Sequence, residues 1–165
     1  MKAATVKQLK EELKELKPTE VINLCLRLSR FKKENKELLT YLLYYAEDET
    51  GFLHDIKIEI DELFDEINTS RYYYMKKGVR KVLRNIKKHI RYSSSKETEV
   101  ELLFYFCQKL QAIQPSIIGS PVLLNLYNRQ KALIEKRIEH LHEDLQYDYG
   151  EMLSELQFKW GGFFA

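Results

Sequence analysis

The sequence predicts an all-α fold: a single domain of seven or eight mostly antiparallel helices over residues 1–165. The chain has only six glycines and three prolines, and a count of breakers this low favours long helices. Apolar residues recur at three- and four-residue intervals almost throughout, which is the helical period, and no stretch shows the alternation of a strand. A helix-hairpin bundle and a short HEAT-like superhelix both fit this pattern.

Three helices are predicted before residue 48. Thr5 and Gln8 have the spacing of a capping box, so they open the first helix, and Lys17-Pro18 ends it. Thr19 caps the second helix, and the third runs from about 34 to 47. Their apolar positions are Val6, Leu9, Leu13, Leu16, Val21, Ile22, Leu24, Cys25, Leu28, Leu38, Leu39, Leu42, Leu43 and Tyr45.

The remaining helices are separated by polar turns. A fourth helix ends at residues 68–70, and a basic helix follows from about 71 to 92. Ser94 and Glu97 form a second capping-box pattern for the sixth helix, which ends near 112. Ser120-Pro121 opens the last helix. The heptad-like pattern of apolar residues in that helix is interrupted, which predicts a bend or split at 148–150.

The bulk composition gives little indication of function. Net charge is only +2, so no global field favours nucleic acid or a membrane. Cys25 and Cys107 have apolar neighbours and no CxxC partner, which predicts two buried, reduced thiols. With no secretory h-region in the first residues and no apolar stretch of membrane-spanning length, a cytoplasmic location is expected.

The basic helix is the first candidate site. Residues 71–94 contain nine Lys or Arg and no acid, and an apolar stripe of Val79, Val82, Leu83, Ile86 and Ile90 predicts docking on a core. The outward side, with nearby tyrosines, could track a phosphate backbone. The candidate anion or nucleic-acid residues are Arg80, Lys81, Arg84, Lys87, Lys88 and Arg91.

The preceding helix argues against a free basic surface. Residues 47–66 contain nine acids and a single lysine. In a hairpin, Glu59, Glu62, Asp65 and Glu66 would lie near Arg71, Lys77 and Arg80 and cancel much of their field. Charge-paired or solvated faces are therefore the first interpretation, and a nucleic-acid partner is the second.

The aromatic C-terminal segment is a second candidate site. Residues 158–165 place Phe158, Trp160, Phe163 and Phe164 around a Gly pair. Packing back onto the same domain is the first expectation, and docking on a second subunit or another partner is the second.

No catalytic motif is found: GxSxG, the P-loop, GxGxxG and HExxH are all absent. His140 and Asp144 have metal-compatible spacing, but no third ligand is assured, and a solvated face is the better explanation. No cofactor or metal is therefore predicted. Enzymatic activity is left open as the less favoured alternative.

Three segments together resemble an uncharacterised bacterial family of small all-helical proteins. They are KELLTYLL, RYYYMKKGVRKVLRNIKKHIRY and TEVELLFYFCQKL. The resemblance implies an all-helical domain that includes the basic helix, and it implies no activity, cofactor or site residue.

The function expected from these observations is a non-enzymatic protein-interaction or scaffold module. Its partner would be an unknown protein or a second copy of the chain, and no membrane is expected. The alternative is a nucleic-acid-binding protein that uses the basic helix 76–91.

Overall fold

The computed structural model describes residues 1–158 and confirms the all-α fold. The described chain contains eight α-helices, one 3-10 turn at Ile117–Gly119 and no strand. None of these helices is both long and apolar enough to cross a membrane. The helices are α1 (Val6–Lys14), α2 (Pro18–Phe31), α3 (Lys33–Tyr44), α4 (Glu49–Asp65), α5 (Tyr72–Ser93), α6 (Lys96–Ala112), α7 (Pro121–Ile138) and α8 (Glu143–Glu155).

The chain divides into two compact units. The N-terminal unit is Met1–Tyr45 and contains α1 to α3, and the C-terminal unit begins at Ala46 and contains α4 to α8. The expectation of one domain over 1–165 stays a prediction.

Local capping contacts define the helices of the N-terminal unit. The Gln8 amide N–H donates to Thr5 Oγ1 at 3.3 Å, and the Thr5 N–H donates to Gln8 Oε1 at 2.9 Å, which confirms the predicted capping box. Helix α2 begins at Pro18, one residue before the predicted cap Thr19, because proline fits the first helical position. Asn35 Nδ2 donates to the Leu28 carbonyl at 2.8 Å and so ties α3 to the last turns of α2.

The C-terminal unit is built around α6, against which α4, α5 and α7 pack, and α8 packs on α7. Helices α4 and α5 form the antiparallel hairpin expected from the sequence. Glu66 meets Lys81 near the turn, and Glu49 meets Ser93 at the open end. The core of the unit consists of Phe52, Ile60, Met75, Val79, Val82, Ile86, Val100, Leu102, Leu103, Phe106, Cys107, Leu110, Ile117, Leu123, Tyr127, Ile134 and Leu156, among others.

Two further predicted boundaries were wrong. Ser94 does not cap α6; it adopts a left-handed conformation (φ 56°) that ends α5, and Ser95 accepts from the Thr98 N–H at 3.2 Å instead. The last helix splits at residues 139–142 rather than at 148–150. Gln146 Nε2 donates to the Leu141 carbonyl at 2.8 Å and satisfies a backbone acceptor at that break.

Two glycines inside helices have opposite surroundings and give a test of the packing. A Cβ at Gly78 would lie 2.9 Å from Cγ1 of the buried Ile67, whereas a Cβ at Gly150 would meet nothing within 4 Å. We expect Gly150→Ala to stabilise the protein by about 0.5–1 kcal/mol through helix propensity alone.

For Gly78→Ala, the same gain is opposed by overpacking of about 1–3 kcal/mol, so a net loss of about 1 kcal/mol is expected. Urea unfolding of both variants measures whether each substitution raises or lowers the free energy of unfolding. Equal stabilisation by both would show that α5 does not approach Ile67 as described.

Candidate interaction surfaces

Helix α5 places its charges according to which side packs on the core. Met75, Val79, Val82 and Ile86 are essentially inaccessible to solvent, which confirms that the basic helix is docked on a core. Leu83 and Ile90, predicted for the same stripe, are half-buried at its edge. The remaining arc of α5 is turned outward and contains its lysines and arginines.

One side of this arc lies against the acidic helix α4. Lys81 Nζ is 3.1 Å from Glu66 Oε2. Glu59 accepts from Asn85 Nδ2 at 2.5 Å, and its other carboxylate oxygen lies 3.2 Å from His89 Nε2. The nearby His89 ring, together with the hydrogen bond from Asn85, outweighs burial and lowers the pKa of Glu59 to about 2. The predicted charge pairing between α4 and α5 therefore occurs, but the basic residue that takes part is Lys81 rather than Arg71, Lys77 or Arg80.

The other side of α5 carries an exposed row of positive charge, which we name the basic stripe: Lys77, Arg80, Arg84 and Lys87. With Leu83 they line a shallow groove of about 560 Å³. Within residues 1–158, no ion pair joins Arg80, Arg84 or Lys87 to an acid.

The stripe only partly overlaps the candidate set predicted from the sequence. Three of the six candidates, Arg80, Arg84 and Lys87, belong to it. Lys81 is paired with Glu66, and Lys88 and Arg91 make contacts of their own. Lys77 was missed as a candidate because the sequence placed it near the acidic helix.

Two exposed tyrosines stand at the N-terminal end of the stripe. Tyr73 and Tyr74 are 57% and 42% exposed, and their rings meet edge to face with centroids 5.3 Å apart. Lys77 Nζ lies 4.5 Å from the centroid of the Tyr73 ring. A hydrogen bond from Lys77 lowers the pKa of the Tyr73 phenol. Positive charge and open aromatic rings are thus adjacent.

The N-terminal unit presents a second, apolar surface that the sequence analysis did not single out. Helices α1 and α2 bury no side chain, and across residues 1–45, all of which are described, only Tyr41 is buried. We name the exposed large apolar side chains of α1 to α3 the apolar surface: Val6, Leu9, Leu13, Ile22, Leu24, Leu26, Leu28, Phe31, Leu38, Leu42, Leu43 and Tyr44. Exposed apolar side chains in such numbers are typical of an interaction surface.

A groove between α2 and α3 forms part of this surface. It has a volume of about 280 Å³ and is lined by Cys25, Leu28, Leu38, Leu39 and Leu42, with Ser29 and Asn35 beside them. Its lining is almost entirely apolar, as expected of a docking groove rather than a site for a polar metabolite.

The two cysteines differ, and the prediction that both are buried was wrong for one of them. Cys25 is exposed and lines the groove between α2 and α3. Cys107 is fully buried, as predicted, and burial raises the pKa of its thiol to about 12.

The C-terminal aromatic segment is described only as far as Phe158. The Phe158 ring lies 5.1 Å from the Tyr127 ring between centroids, and Tyr127 Oη donates to the Leu156 carbonyl at 2.8 Å. Trp160, Phe163 and Phe164 lie outside the described residues. Their role as an interaction tail therefore stays a prediction.

His140 and Asp144, the residues with metal-compatible spacing, lie at the α7–α8 break. His140 is in the turn, and His142 precedes α8, where its Nδ1 accepts from the Asp144 N–H at 3.4 Å. No group of three or more potential metal ligands occurs within the part of the chain described here. The His142 side chain caps α8, and His140 is exposed in the turn.

Comparisons with known proteins leave the family open. The chain matches no protein-family model, no curated protein and no solved structure. The resemblance to a bacterial helical family stays a prediction, and function must be argued from the two surfaces themselves.

The depressed pKa of Glu59 predicts a pH dependence of stability. The unfolded carboxyl titrates near 4.5 and the folded one near 2, so the contribution is present above pH 4.5 and is lost as pH falls toward 2. Because the side chain is partly exposed and screened by water, we expect it to contribute roughly 1 kcal/mol. Urea unfolding from neutral pH to about pH 2 measures it, with Glu59→Gln compared with the native chain.

Glu62→Gln is the matched control, since Glu62 is exposed on the same helix and contacts neither His89 nor Asn85. The control should retain the acid-dependent loss of stability, and Glu59→Gln should reduce it. An identical acid profile for all three chains would remove the Glu59 contact as a source of stability.

Proposed function

We propose that this chain is a non-enzymatic protein-interaction module that self-associates through its N-terminal unit. The observation that supports the proposal is the apolar surface: α1 and α2 bury no side chain although both contain apolar residues at helical spacing. The occupant we propose is the same surface of a second copy.

The need for a permanent partner follows from size. Folded units below about 40 residues usually require disulfides, metals or association, because they bury too small a fraction of their surface, and a unit only slightly larger is close to that limit. The N-terminal unit has 45 residues with one buried side chain, no disulfide and no metal-binding group. A second copy is the partner that is present wherever the chain is made.

The distribution of charge fits a homodimer interface. Residues 38–45 contain no charged side chain, and residues 18–26 contain only Glu20. Lysines and arginines collect instead around the α2–α3 turn, at Arg27, Arg30 and the following lysines. A charge-poor apolar centre bordered by charged residues is the anatomy of a stable interface, and homodimer interfaces are the most apolar.

A cytoplasmic location is part of this proposal. The exposed thiol of Cys25 has no disulfide partner, and reducing compartments keep such thiols free.

Charge placed in the groove should dissociate the dimer. Leu28 and Leu42 are 60% and 55% exposed in the single chain, so Leu28→Glu/Leu42→Glu should fold normally yet bury two unpaired carboxylates on association. We expect light scattering after gel filtration to give twice the 19.8 kDa chain mass for the native protein and the single-chain mass for the variant.

Ile58→Glu is the matched control, because Ile58 is 47% exposed on α4 and lies outside the N-terminal unit. It should leave the mass unchanged, and circular dichroism checks the helix content of all three proteins. A native protein with the single-chain mass at every concentration would sink the proposal, and so would a dimer that survives the double substitution.

Cys25 provides an independent reporter because it lines the groove. Its modification by a maleimide should slow as protein concentration rises, since association covers the thiol, and Leu28→Glu/Leu42→Glu should abolish that dependence. Cys107 is the internal control: it is fully buried and should react only after unfolding. A Cys25 rate independent of concentration would place the interface away from the groove.

A further inference from the structure

We propose that the basic stripe of α5 binds the phosphate backbone of single-stranded nucleic acid, with Tyr73 and Tyr74 stacking on bases at its N-terminal end. This proposal concerns the C-terminal unit and is independent of self-association through the N-terminal unit. It requires that the stripe be continuous, unneutralised and suited to a strand rather than to another polyanion.

The stripe is continuous because of helical spacing. Its members stand at positions 77, 80, 84 and 87, so that steps of three and four residues keep them on one face. At about 1.5 Å per residue they span about 15 Å along α5. Four positive charges in a row of this length can contact several successive phosphates of one strand.

The stripe is also unneutralised, because the acidic helix pairs with the other side of α5. Glu66 is engaged by Lys81, and Glu59 by Asn85 and His89. In the described chain, Arg80, Arg84 and Lys87 have no carboxylate partner. Their charge is therefore available to an external anion.

The aromatic pair favours nucleic acid over other anionic surfaces. Exposed rings next to a cationic groove are the combination that binds unpaired bases together with their phosphates. A membrane-bound helix would instead need its apolar face for insertion, and that face of α5 is buried in the core. Bases in a duplex are already stacked on each other, so exposed rings such as those of Tyr73 and Tyr74 favour a single strand.

Fluorescence anisotropy tests the proposal with labelled oligothymidylate and mixed-sequence RNA of about 20 nucleotides. Release of counterions from about four phosphates predicts a slope of about −2.8 for log K against log salt, which is about 50-fold weaker binding at 200 mM than at 50 mM salt. No binding at 50 mM salt would overturn the proposal.

Two variants with the same charge change locate the site. Arg80→Glu/Lys87→Glu reverses two stripe residues seven positions apart, and Arg129→Glu/Lys136→Glu does the same at two exposed positions on α7. We expect the stripe variant to lose at least about 10-fold in affinity and the α7 control to lose less than about 3-fold. Equal losses would mean that only net charge matters, against the proposal.

The tyrosines separate strand binding from simple ion pairing. Tyr73→Ala/Tyr74→Ala should weaken binding by about 5-fold or more, and Tyr73→Phe/Tyr74→Phe, which keeps both rings, should bind like the native chain. Circular dichroism confirms folding of each variant. Unchanged binding without the rings, or stronger binding to phosphatidylserine vesicles or a duplex of the same length, would contradict the single-stranded partner.

Discussion

The burial of α6 is the constraint on which the C-terminal unit depends. Val100, Leu102, Leu103, Phe106, Cys107 and Leu110 are all fully inaccessible to solvent, and α4, α5 and α7 each pack against the helix that contains them. Because these residues occupy more than one face of α6, no single neighbour could cover them. Burying a large apolar side chain stabilises the fold by about 1.5–3 kcal/mol, so these contacts dominate the arrangement of the unit.

The charge pattern of α5 follows from this packing. The apolar stripe of α5 lies in the core, and the neighbouring helix α4 packs along one side of its remaining, outward-facing surface. Lys81 falls on the side of Glu66, while Arg80, Arg84 and Lys87 line the groove on the other side, where none of them forms an ion pair within residues 1–158. A rotation of about 100° per residue separates adjacent positions, so Arg80 and Lys81 have different electrostatic surroundings although they are neighbours in sequence. Helix α5 thus has one basic side that pairs with α4 and another basic side that is exposed.

The two units bury their apolar side chains to different extents. In the C-terminal unit, five helices supply enough surface to cover one another. The N-terminal unit has only three helices, and α2 has apolar residues on most of its circumference, so a single hairpin partner such as α3 leaves the rest exposed. The same residue types therefore form a core in one unit and a surface in the other. The proposed roles of the units, association and strand binding, follow from this difference.

The sequence by itself determined the all-α fold, most helix boundaries and the docked state of the basic helix, because periodicity and caps such as Thr5 with Gln8 are local properties. It did not determine that Cys25 is exposed, since burial depends on how many helices meet at a site. It also misplaced the split in the last helix, which depends on side-chain contacts such as that of Gln146 with Leu141. Which cations of α5 remain unpaired was decided only by tertiary structure, because pairing depends on the rotation of α5 against α4.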